Sequence, residues 1–501
     1  MTESKDMVFD LCVIGCGPAG FAAAMRAIDV GKHVCIIEGG EIGGTGVKWG
    51  ALASKTMWEL AKDFHIAGKV DRGYRCSSLR VNFHKVYETV MEAVKERQYQ
   101  MRSQIETFSP RLWNGPGSLT YKTGWGRFVD DQTIAIDYED GREEQIKTRF
   151  TLIASGSRPR TLPNIEVDQK RIITSDGILG LKTFPRRMAI IGAGVTGCEY
   201  ATIFANFGQT KVYLVDHMDT VIPWEDEDVS RFVSNSLKQR GVEIFQRAKV
   251  RAIEQKDDHL EVILDFADGH SKVVEVDVAL VSVGRKANIE KLDLHQVGIV
   301  PTASGVLETG NCCQVKSNIY AAGDITPHPA MVNIAELEGR YAVKHMFGCV
   351  RWPLRYENLP TVMFFSPAVT AVGLNEKRCR ALKIPFRVGY CSNALLPRAI
   401  AMRDSCGFVK IIVQDDSSGK ILGMRAAGPQ VSSMVMSLTH IMDQGKGIED
   451  VLKSVYPHPT ISEGTQECLR LLLGKSMFKP EAFPDLMQIR SWRPDSEAAE
   501  G

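Results

Sequence analysis

The sequence predicts an α/β protein with two dinucleotide-binding domains followed by an α+β domain, on three observations. A strand, a G-x-G-x-x-G turn, a helix, a second strand and an acid follow one another near the N-terminus, and the same order returns from Met188. From Pro353 strand-like stretches give way to helix-like ones, with no third glycine fingerprint. At 501 residues the chain exceeds what one core usually fills, so several domains are expected.

The first unit runs from the apolar stretch at Asp10–Ile14 into Gly15-Cys16-Gly17-Pro18-Ala19-Gly20. The alanine-rich stretch 21–30 suits a helix, and His33–Ile37 reads as a strand ending at Glu38. Each part has a physical task. Gly15 makes the tight turn, Gly17 lets backbone N–H groups approach a pyrophosphate, and Gly20 lets helix and strand pack closely. The helix N-terminus attracts the anion. Glu38 stands 18 residues past Gly20 (38 − 20), where a carboxylate can accept ribose hydroxyls.

After Lys55 the chain turns amphipathic, and Val86, Val90, Val94, Met101 and Ile105 keep a helical period that predicts a long helix with one face in the core. Strands are expected over 124–137 and at Thr151–Ala154. The second unit has Gly192, Gly194 and Gly197, with Asp216 placed 19 residues on (216 − 197). A carboxylate there welcomes the free 2′-hydroxyl of NAD and repels the 2′-phosphate of NADP, and His217, Met218 and Asp219 follow without an arginine. NAD(H) is therefore expected, with NADP(H) disfavoured.

Composition bounds the rest. At 44% apolar and 24% charged residues the chain is ordinary globular material, and a net charge of +1 makes no electrostatic case for nucleic acid or an anionic membrane. No signal or transit peptide is expected, nor any apolar run of about 18 residues to span a bilayer. The expectation is a soluble, cytoplasmic protein. None of the twelve cysteines form Cys-x-x-Cys, and Cys12, Cys16, Cys35 and Cys198 lie where small buried residues are wanted. Free buried thiols and no metal site are expected. Adjacent Cys312 and Cys313 read as a chance pair in a strand, although vicinal cysteines can also close a strained disulfide or hold a thiophilic metal.

Residues 38–55 come directly after the first fingerprint and include Gly43-Gly44-Thr45-Gly46-Val47-Lys48-Trp49-Gly50-Ala51-Leu52-Ala53-Ser54-Lys55. This stretch resembles the active-site segment of the flavin-dependent disulfide reductases, the pyridine nucleotide-disulfide oxidoreductase family that includes dihydrolipoamide dehydrogenase. At Trp49-Gly50 it is also similar to soluble pyridine nucleotide transhydrogenase. The family carries Cys-x4-Cys followed by x-Pro-Ser-Lys, and here those positions read Gly46, Ala51 and Ala53-Ser54-Lys55. Neither Gly nor Ala can supply the attacking or the resolving sulfur of a disulfide relay.

The resemblance extends over about residues 8–470. It implies a Rossmann-like FAD-binding domain in two parts, 1–158 and 287–352, an NAD-binding domain over 159–286, and an interface and dimerisation domain over 353–474. A C-terminal extension, 475–501, remains. It implies FAD held by Gly15, Gly17, Gly20, Glu38, Thr45, Lys55, Gly156 of the Ser155–Pro159 segment, and Gly323-Asp324, where Asp324 can bind a ribityl hydroxyl. A helix from about Met331 would aim its N-terminus at the flavin. NAD(H) would lie against Gly192, Gly194, Gly197, Asp216 and the turn at Gly284. Lys55 and Glu199 match the family's flavin-side ion pair, and His458 and Glu463 of the His-Pro-Thr-x-x-Glu segment match its acid/base and orienting carboxylate. A homodimer is implied.

The leading expectation is an FAD-dependent NADH oxidoreductase that reduces a small acceptor, a quinone or similar, without a redox disulfide. Three alternatives stay open: a soluble transhydrogenase, a disulfide reductase that borrows other thiols, and a non-catalytic flavoprotein subunit. In the extension, 475–492 carries enough apolar surface to pack on the body, and disorder is expected over 493–501.

Overall fold

The computed structural model describes residues 8–74 and 78–494. Its described residues divide into two compact units, one of 8–60, 78–184 and 283–354, the other of 61–74, 185–282 and 355–494.

The first unit is built on parallel strands. Val8–Ile14 pairs with His33–Glu38 on one side and Glu143–Ile153 on the other; Ser118–Thr123 and Ile319–Ala321 extend the sheet outward. Parallel strands buried on both faces need continuous apolar runs, and Leu11, Cys12, Val13, Val34, Cys35 and Ile36 are fully buried. Cys12 and Cys35 are register partners whose thiols remain free. The helix Pro18–Asp29 has proline in its first turn, where no N–H is needed, and six alanines or glycines whose small side chains bring it onto the sheet. The long helix Phe83–Thr107 buries Val86, Val90, Val94, Met101 and Ile105, the predicted stripe, and Asn82 caps it by accepting from the Lys85 N–H.

The second unit contains a parallel sheet in the order 243–245, 211–215, 187–191, 278–281, with the helix Val195–Phe207 after the second fingerprint. An antiparallel meander, Ala248–Gln255, Leu260–Phe266 and Ser271–Val276, comes next. A separate antiparallel sheet runs 361–363, 369–373, 421–427, 408–414, 386–392, 487–492, with Glu463–Leu472 against its inner strands.

Three expectations change. The extension does not merely pack; Met487–Trp492 adds an edge strand antiparallel to Phe386–Ser392, and Trp492 stacks on Phe386 at 5.9 Å. Arg493, expected beyond the ordered chain, donates from Nε to Asp415 Oδ2 at 2.7 Å, while 495–501 lie outside the described residues. Cys312 and Cys313 sit in a turn before the strand Gln314–Lys316, with Cys313 at φ 59°. Among the described residues no helix is long and apolar enough to cross a membrane, and no cluster of three or more His, Cys, Asp or Glu could hold a metal.

Candidate active site

The first fingerprint is closed by backbone geometry. Gly15 has φ +107°, and a Cβ there would meet Ala154 O at 2.3 Å; a Cβ on Gly20 would stand 2.0 Å from Gly15 O. Gly17 faces open space, and it caps the helix Pro18–Asp29 with no side-chain bond, so the helix N-terminus is left to an anion. Glu38 Oε2 accepts the Cys16 N–H at 2.6 Å and Oε1 the Gly40 N–H at 2.7 Å. Burial pushes this carboxyl above its usual range, against the pull of those two N–H groups. A carboxylate has about four acceptor sites, so ribose hydroxyls can still be bound.

Thr45 and Asp324 are linked through Arg285 and Ser157. Arg285 donates from Nη2 to Thr45 Oγ1 at 3.1 Å and from Nε to Ser157 Oγ at 2.7 Å. The Ser157 hydroxyl in turn donates to Asp324 Oδ2 at 2.5 Å. Gly323, at φ +80°, is fixed by its N–H to the fully buried Glu338 at 2.6 Å. Asn288 ties Gly156 in, through its N–H to Gly156 O at 2.9 Å and its side chain to Ser155 O at 2.9 Å. Gly284 O accepts the Arg160 N–H beside the ribbon of 157–159 and 285–287. The helix Val332–Met346 begins without a side-chain cap, close to the Met331 start read from the sequence. Arg285 and Asn288 belong to the turn at Gly284, Gly284-Arg285-Lys286-Ala287-Asn288, which the family resemblance covers; Glu338 gave no signal, being one carboxylate on an amphipathic helix.

Between these parts the segment 43–55 turns through a π-helical stretch, Thr45–Trp49, into the helix Ala51–Ala67. An ion pair of Lys48 with Glu41 braces it, and the Lys48 ammonium lies 4.1 Å over the Trp49 ring. At Gly46 a Cβ would meet Pro18 Cγ at 2.4 Å. The backbone is thus set for glycine where the resemblance places the first sulfur. Lys55 Nζ donates to Ser54 Oγ at 3.3 Å.

The second unit repeats the first device. Gly192 has φ +107°, a Cβ on Gly197 would stand 1.9 Å from Gly192 O, and Asp216 Oδ2 accepts the Ala193 N–H at 2.6 Å. Asp216 Oδ1 takes the Met218 N–H at 2.8 Å. Gly194 also caps its helix with no side-chain bond. Two neighbours have no counterpart in the first fingerprint. The exposed Trp224 ring comes 3.5 Å from a Cβ on Gly194. Arg247, at φ 54°, donates its N–H to Met218 O at 2.9 Å and sets its guanidinium 3.8 Å from Asp219. The sequence shows no arginine directly after Asp216, yet the fold delivers one from the bend before the strand Ala248–Gln255. Glu199 is buried and accepts the Phe364 N–H at 3.0 Å. It lies in the second unit and Lys55 in the first.

Also in the second unit, Glu463 Oε1 lies 2.8 Å from His458 Nδ1, while its Oε2 accepts the Thr460 N–H at 2.8 Å. A carboxylate only accepts, so Nδ1 carries the proton and Nε2 is left for exchange. His458 is exposed.

Buried thiols are unsuited to replace the missing pair. Burial pushes Cys35 and Cys391 up to about 12 and Cys12, Cys16, Cys198 and Cys468 well above the usual thiol range. Such groups stay protonated at neutral pH and attack poorly.

Comparison with known proteins gives the family. Residues 9–339 match the family described as "Pyridine nucleotide-disulphide oxidoreductase", and residues 359–469 match its dimerisation domain. Dihydrolipoyl dehydrogenase of Bacillus subtilis is 30% identical over 94% of this chain and 99% of its own. That of Geobacillus stearothermophilus is 31% identical over 92% and 96%. In fold, the HOCl-induced flavoprotein disulfide reductase RclA from Escherichia coli superposes with a TM-score of 0.82 at 23% identity, covering 93% of this chain and all of that one. LpdA from Mycobacterium tuberculosis gives 0.82 at 24% identity, over 92% and 99%. The chain belongs to the pyridine nucleotide-disulphide oxidoreductase family, FAD-dependent enzymes that bind NAD(H).

Proposed function

We propose that this protein is an FAD-dependent NADH oxidoreductase that reduces a small diffusible acceptor of the quinone type without a redox disulfide. The observation that carries the reading is Gly46, whose Cβ direction is occupied by Pro18 at 2.4 Å, with Ala51 at the companion position. When bound, FAD supplies two-electron chemistry, accepting a hydride from NADH and giving the electrons up to an acceptor.

The residues present fit that group: an uncapped helix N-terminus at Gly17 for a pyrophosphate, open space beside it, and carboxylates at Glu38 and Asp324 with acceptor capacity left. Gly15, Gly17, Gly20, Glu38, Thr45, Gly156, Gly323 and Asp324 would hold FAD, and Lys55 would place positive charge beside it. Gly192, Gly194, Gly197, Asp216 and Gly284 would hold NAD(H), with Glu199 restraining the helix it stands on. His458, oriented by Glu463 through Nδ1, has Nε2 left to exchange a proton with solvent and, as imidazolium, would deliver it to an acceptor oxygen. The domain boundaries we assign are 1–158 and 287–352 for FAD, 159–286 for NAD and 353–474 for a homodimer interface.

The test is an anaerobic NADH titration of the yellow holoenzyme, counting electrons accepted per FAD, followed by quinone turnover after thiol alkylation. Two electrons, with turnover that survives alkylation, are expected. Four electrons, or activity abolished by alkylation, would replace this reading with a disulfide reductase using other thiols.

A further inference from the structure

An indole stands over the second fingerprint where the first has open space. A Cβ on Gly17 would meet nothing within 4 Å, while one on Gly194 would come 3.5 Å from Trp224 Cη2 and 4.0 Å from its Cζ3. Trp224 thus turns the apolar edge of its six-membered ring toward the N-terminus of the helix Val195–Phe207, and the residue is 53% exposed. A lone exposed apolar residue is ordinary on a protein surface. What sets this one apart is how its backbone is held. Ile222, two residues before it, is fully buried at φ 49°, a left-handed conformation that β-branched residues rarely take. Its N–H donates to Ala193 O at 3.0 Å, inside the fingerprint, and its carbonyl accepts the Glu225 N–H at 3.0 Å across the turn. From the other side Asn375 Nδ2 donates to Trp224 O at 2.8 Å and Lys377 Nζ to Pro223 O at 2.8 Å. Glu225 and Asp226, the next residues, are buried in ion pairs with Arg425 and Lys410. The turn is strained and tied to the glycine run at one end and to buried charge at the other. Strain of this kind persists where the surroundings overdetermine it, and it gathers at ligand clamps.

We infer that Trp224 is a pyridine nucleotide-binding residue, its indole forming a water-excluding wall beside the pyrophosphate at Gly194. The inference rests on the placement of NAD(H) at Gly192–Gly197 under Proposed function and adds a contact from outside the glycine run. The physics is that of a low-dielectric wall. The helix N-terminus holds an anion through its N–H donors and its dipole, and water and salt weaken both. An apolar edge beside those donors displaces water and focuses their field on the phosphates. The edge facing Gly194 carries no polar atom, so Trp224 contributes by exclusion and contact area. Phenylalanine can therefore stand in for it, and alanine cannot. An exposed wall also suits a ligand that enters and leaves at every turnover, whereas the flavin at the first fingerprint stays bound.

The experiment uses holoenzyme, with its flavin site filled, and ADP-ribose, which carries the pyrophosphate and cannot reduce the flavin. Calorimetry gives the Kd for the wild type, Trp224→Phe, Trp224→Ala and Asp216→Ser at two ionic strengths. The Trp224 side chain is exposed and its backbone bonds remain in the variants, so the fold is kept. Trp224→Ala should weaken ADP-ribose about tenfold and make its Kd rise more steeply with salt than in the wild type. Trp224→Phe should bring the affinity back to within about threefold of the wild type and restore the shallow salt slope. ADP-ribose bound equally by the wild type and Trp224→Ala overturns the inference; weakening by Asp216→Ser in the same experiment then shows that the nucleotide site itself stands. Weakening in Trp224→Ala with an unchanged salt slope and no rescue by phenylalanine makes Trp224 a support of the turn and overturns the inference as well. Failure of the wild type to bind ADP-ribose would instead overturn the placement of NAD(H), and this inference with it.

Discussion

The two glycine fingerprints repeat one backbone device nearly atom for atom. Gly15 and Gly192 share φ +107°, Gly20 and Gly197 leave 2.0 and 1.9 Å for a Cβ, and Glu38 and Asp216 each hold the N–H of the residue after the first glycine at 2.6 Å. Their flanks differ. The first runs into a glycine-rich segment, 38–50, held by the ion pair of Lys48 with Glu41, by the Gln98 amide donating to Glu41 Oε2 and Ile42 O at 3.1 Å, and by the Gly43 N–H donating to Cys16 O at 2.9 Å. The second runs into Glu225, Asp226 and Asp228, which are anchored in buried charge. Arg425 holds Glu225 at 2.8 Å, and the fully buried Lys410 holds Asp226 at 2.8 Å, Asp228 at 2.7 Å and Glu376 at 3.0 Å. Arg490 of the terminal strand joins Asp228 and Glu376. The backbone device is the same in both; the chain beyond it is held mainly by hydrogen bonds in one and by buried charge in the other.

The largest effect comes from breaking each device in turn. Gly20→Ala pushes a methyl group to 2.0 Å from Gly15 O, so helix and turn must part, and the purified variant should be colourless. Gly197→Ala has the same clash but should stay yellow, with the NADH KM raised about a hundredfold, or ~2.7 kcal/mol. Loss of flavin from Gly197→Ala would show that the two sites do not act separately.

Lys410→Met tests the anchored flank. Removing a fully buried ammonium leaves Asp226 to the Glu376 and Lys377 N–H groups and Asp228 and Glu376 to Arg490, and such a loss costs about 3–5 kcal/mol, readable as a lower Tm. The pH dependence has a definite sign. Burial works to raise the Asp226 carboxyl, but the Lys410 charge and N–H donors from Lys410, Glu376 and Lys377 outweigh it and hold it below its usual range. Its contribution is present above roughly pH 4 and lost as pH falls through the folded value. Burial likewise opposes the Lys410 ammonium, yet the charges of Asp228, Asp226 and Glu376 keep its pKa raised, so that contribution is lost only as pH rises past about 10. The gap in Tm between wild type and variant should be widest between those limits and narrow as pH falls below about 4. A gap that does not narrow below about pH 4 would remove the ion network as the anchor.

Asp216→Ser sharpens the comparison at the acid itself. The substitution removes a ribose acceptor and the clamp on Ala193 and Met218, and the NADH KM should rise about tenfold. With the carboxylate gone, the 2′-phosphate of NADPH meets less repulsion and has Arg247 nearby, so the NADPH-to-NADH ratio of kcat/KM should increase. A ratio that stays put would mean that Asp216 serves the fold alone.

Much of this was legible in the sequence because local spacing encodes it. Strand, three glycines, helix, strand and acid form a contiguous run whose geometry is fixed by the chain within about 25 residues, and Glu38 and Asp216 land where the spacing puts them. The stripe Val86, Val90, Val94, Met101, Ile105 is equally local. The illegible parts join residues far apart. Arg285 meets Thr45 across 240 positions, Lys410 meets Asp226 across 184, and Arg490 meets Asp228 across 262. A buried lysine reads in sequence like any exposed one. The terminal strand was missed for a different reason: Met487–Trp492 carries polar residues between its apolar ones and becomes a strand only because Phe386–Ser392 offers an open edge.

The smallest effect is expected at Arg247. It stands at the second fingerprint only by way of its own backbone bond to Met218, and its guanidinium is exposed and 3.8 Å from Asp219. Exposed pairs of this kind contribute about 0–1 kcal/mol, and NADH presents only hydroxyls at that corner. Arg247→Ala should therefore change the NADH KM by less than about twofold. The double variant Asp216→Ser, Arg247→Ala should lose the gain for NADPH that Asp216→Ser brings, because the cation that would meet the 2′-phosphate is gone. If Arg247→Ala alone weakens NADH tenfold, the arginine supports the Asp216 loop rather than waiting on a phosphate. The second fingerprint would then depend on a residue from outside its own run, as the first depends on Gly43, whose N–H donates to Cys16 O at 2.9 Å.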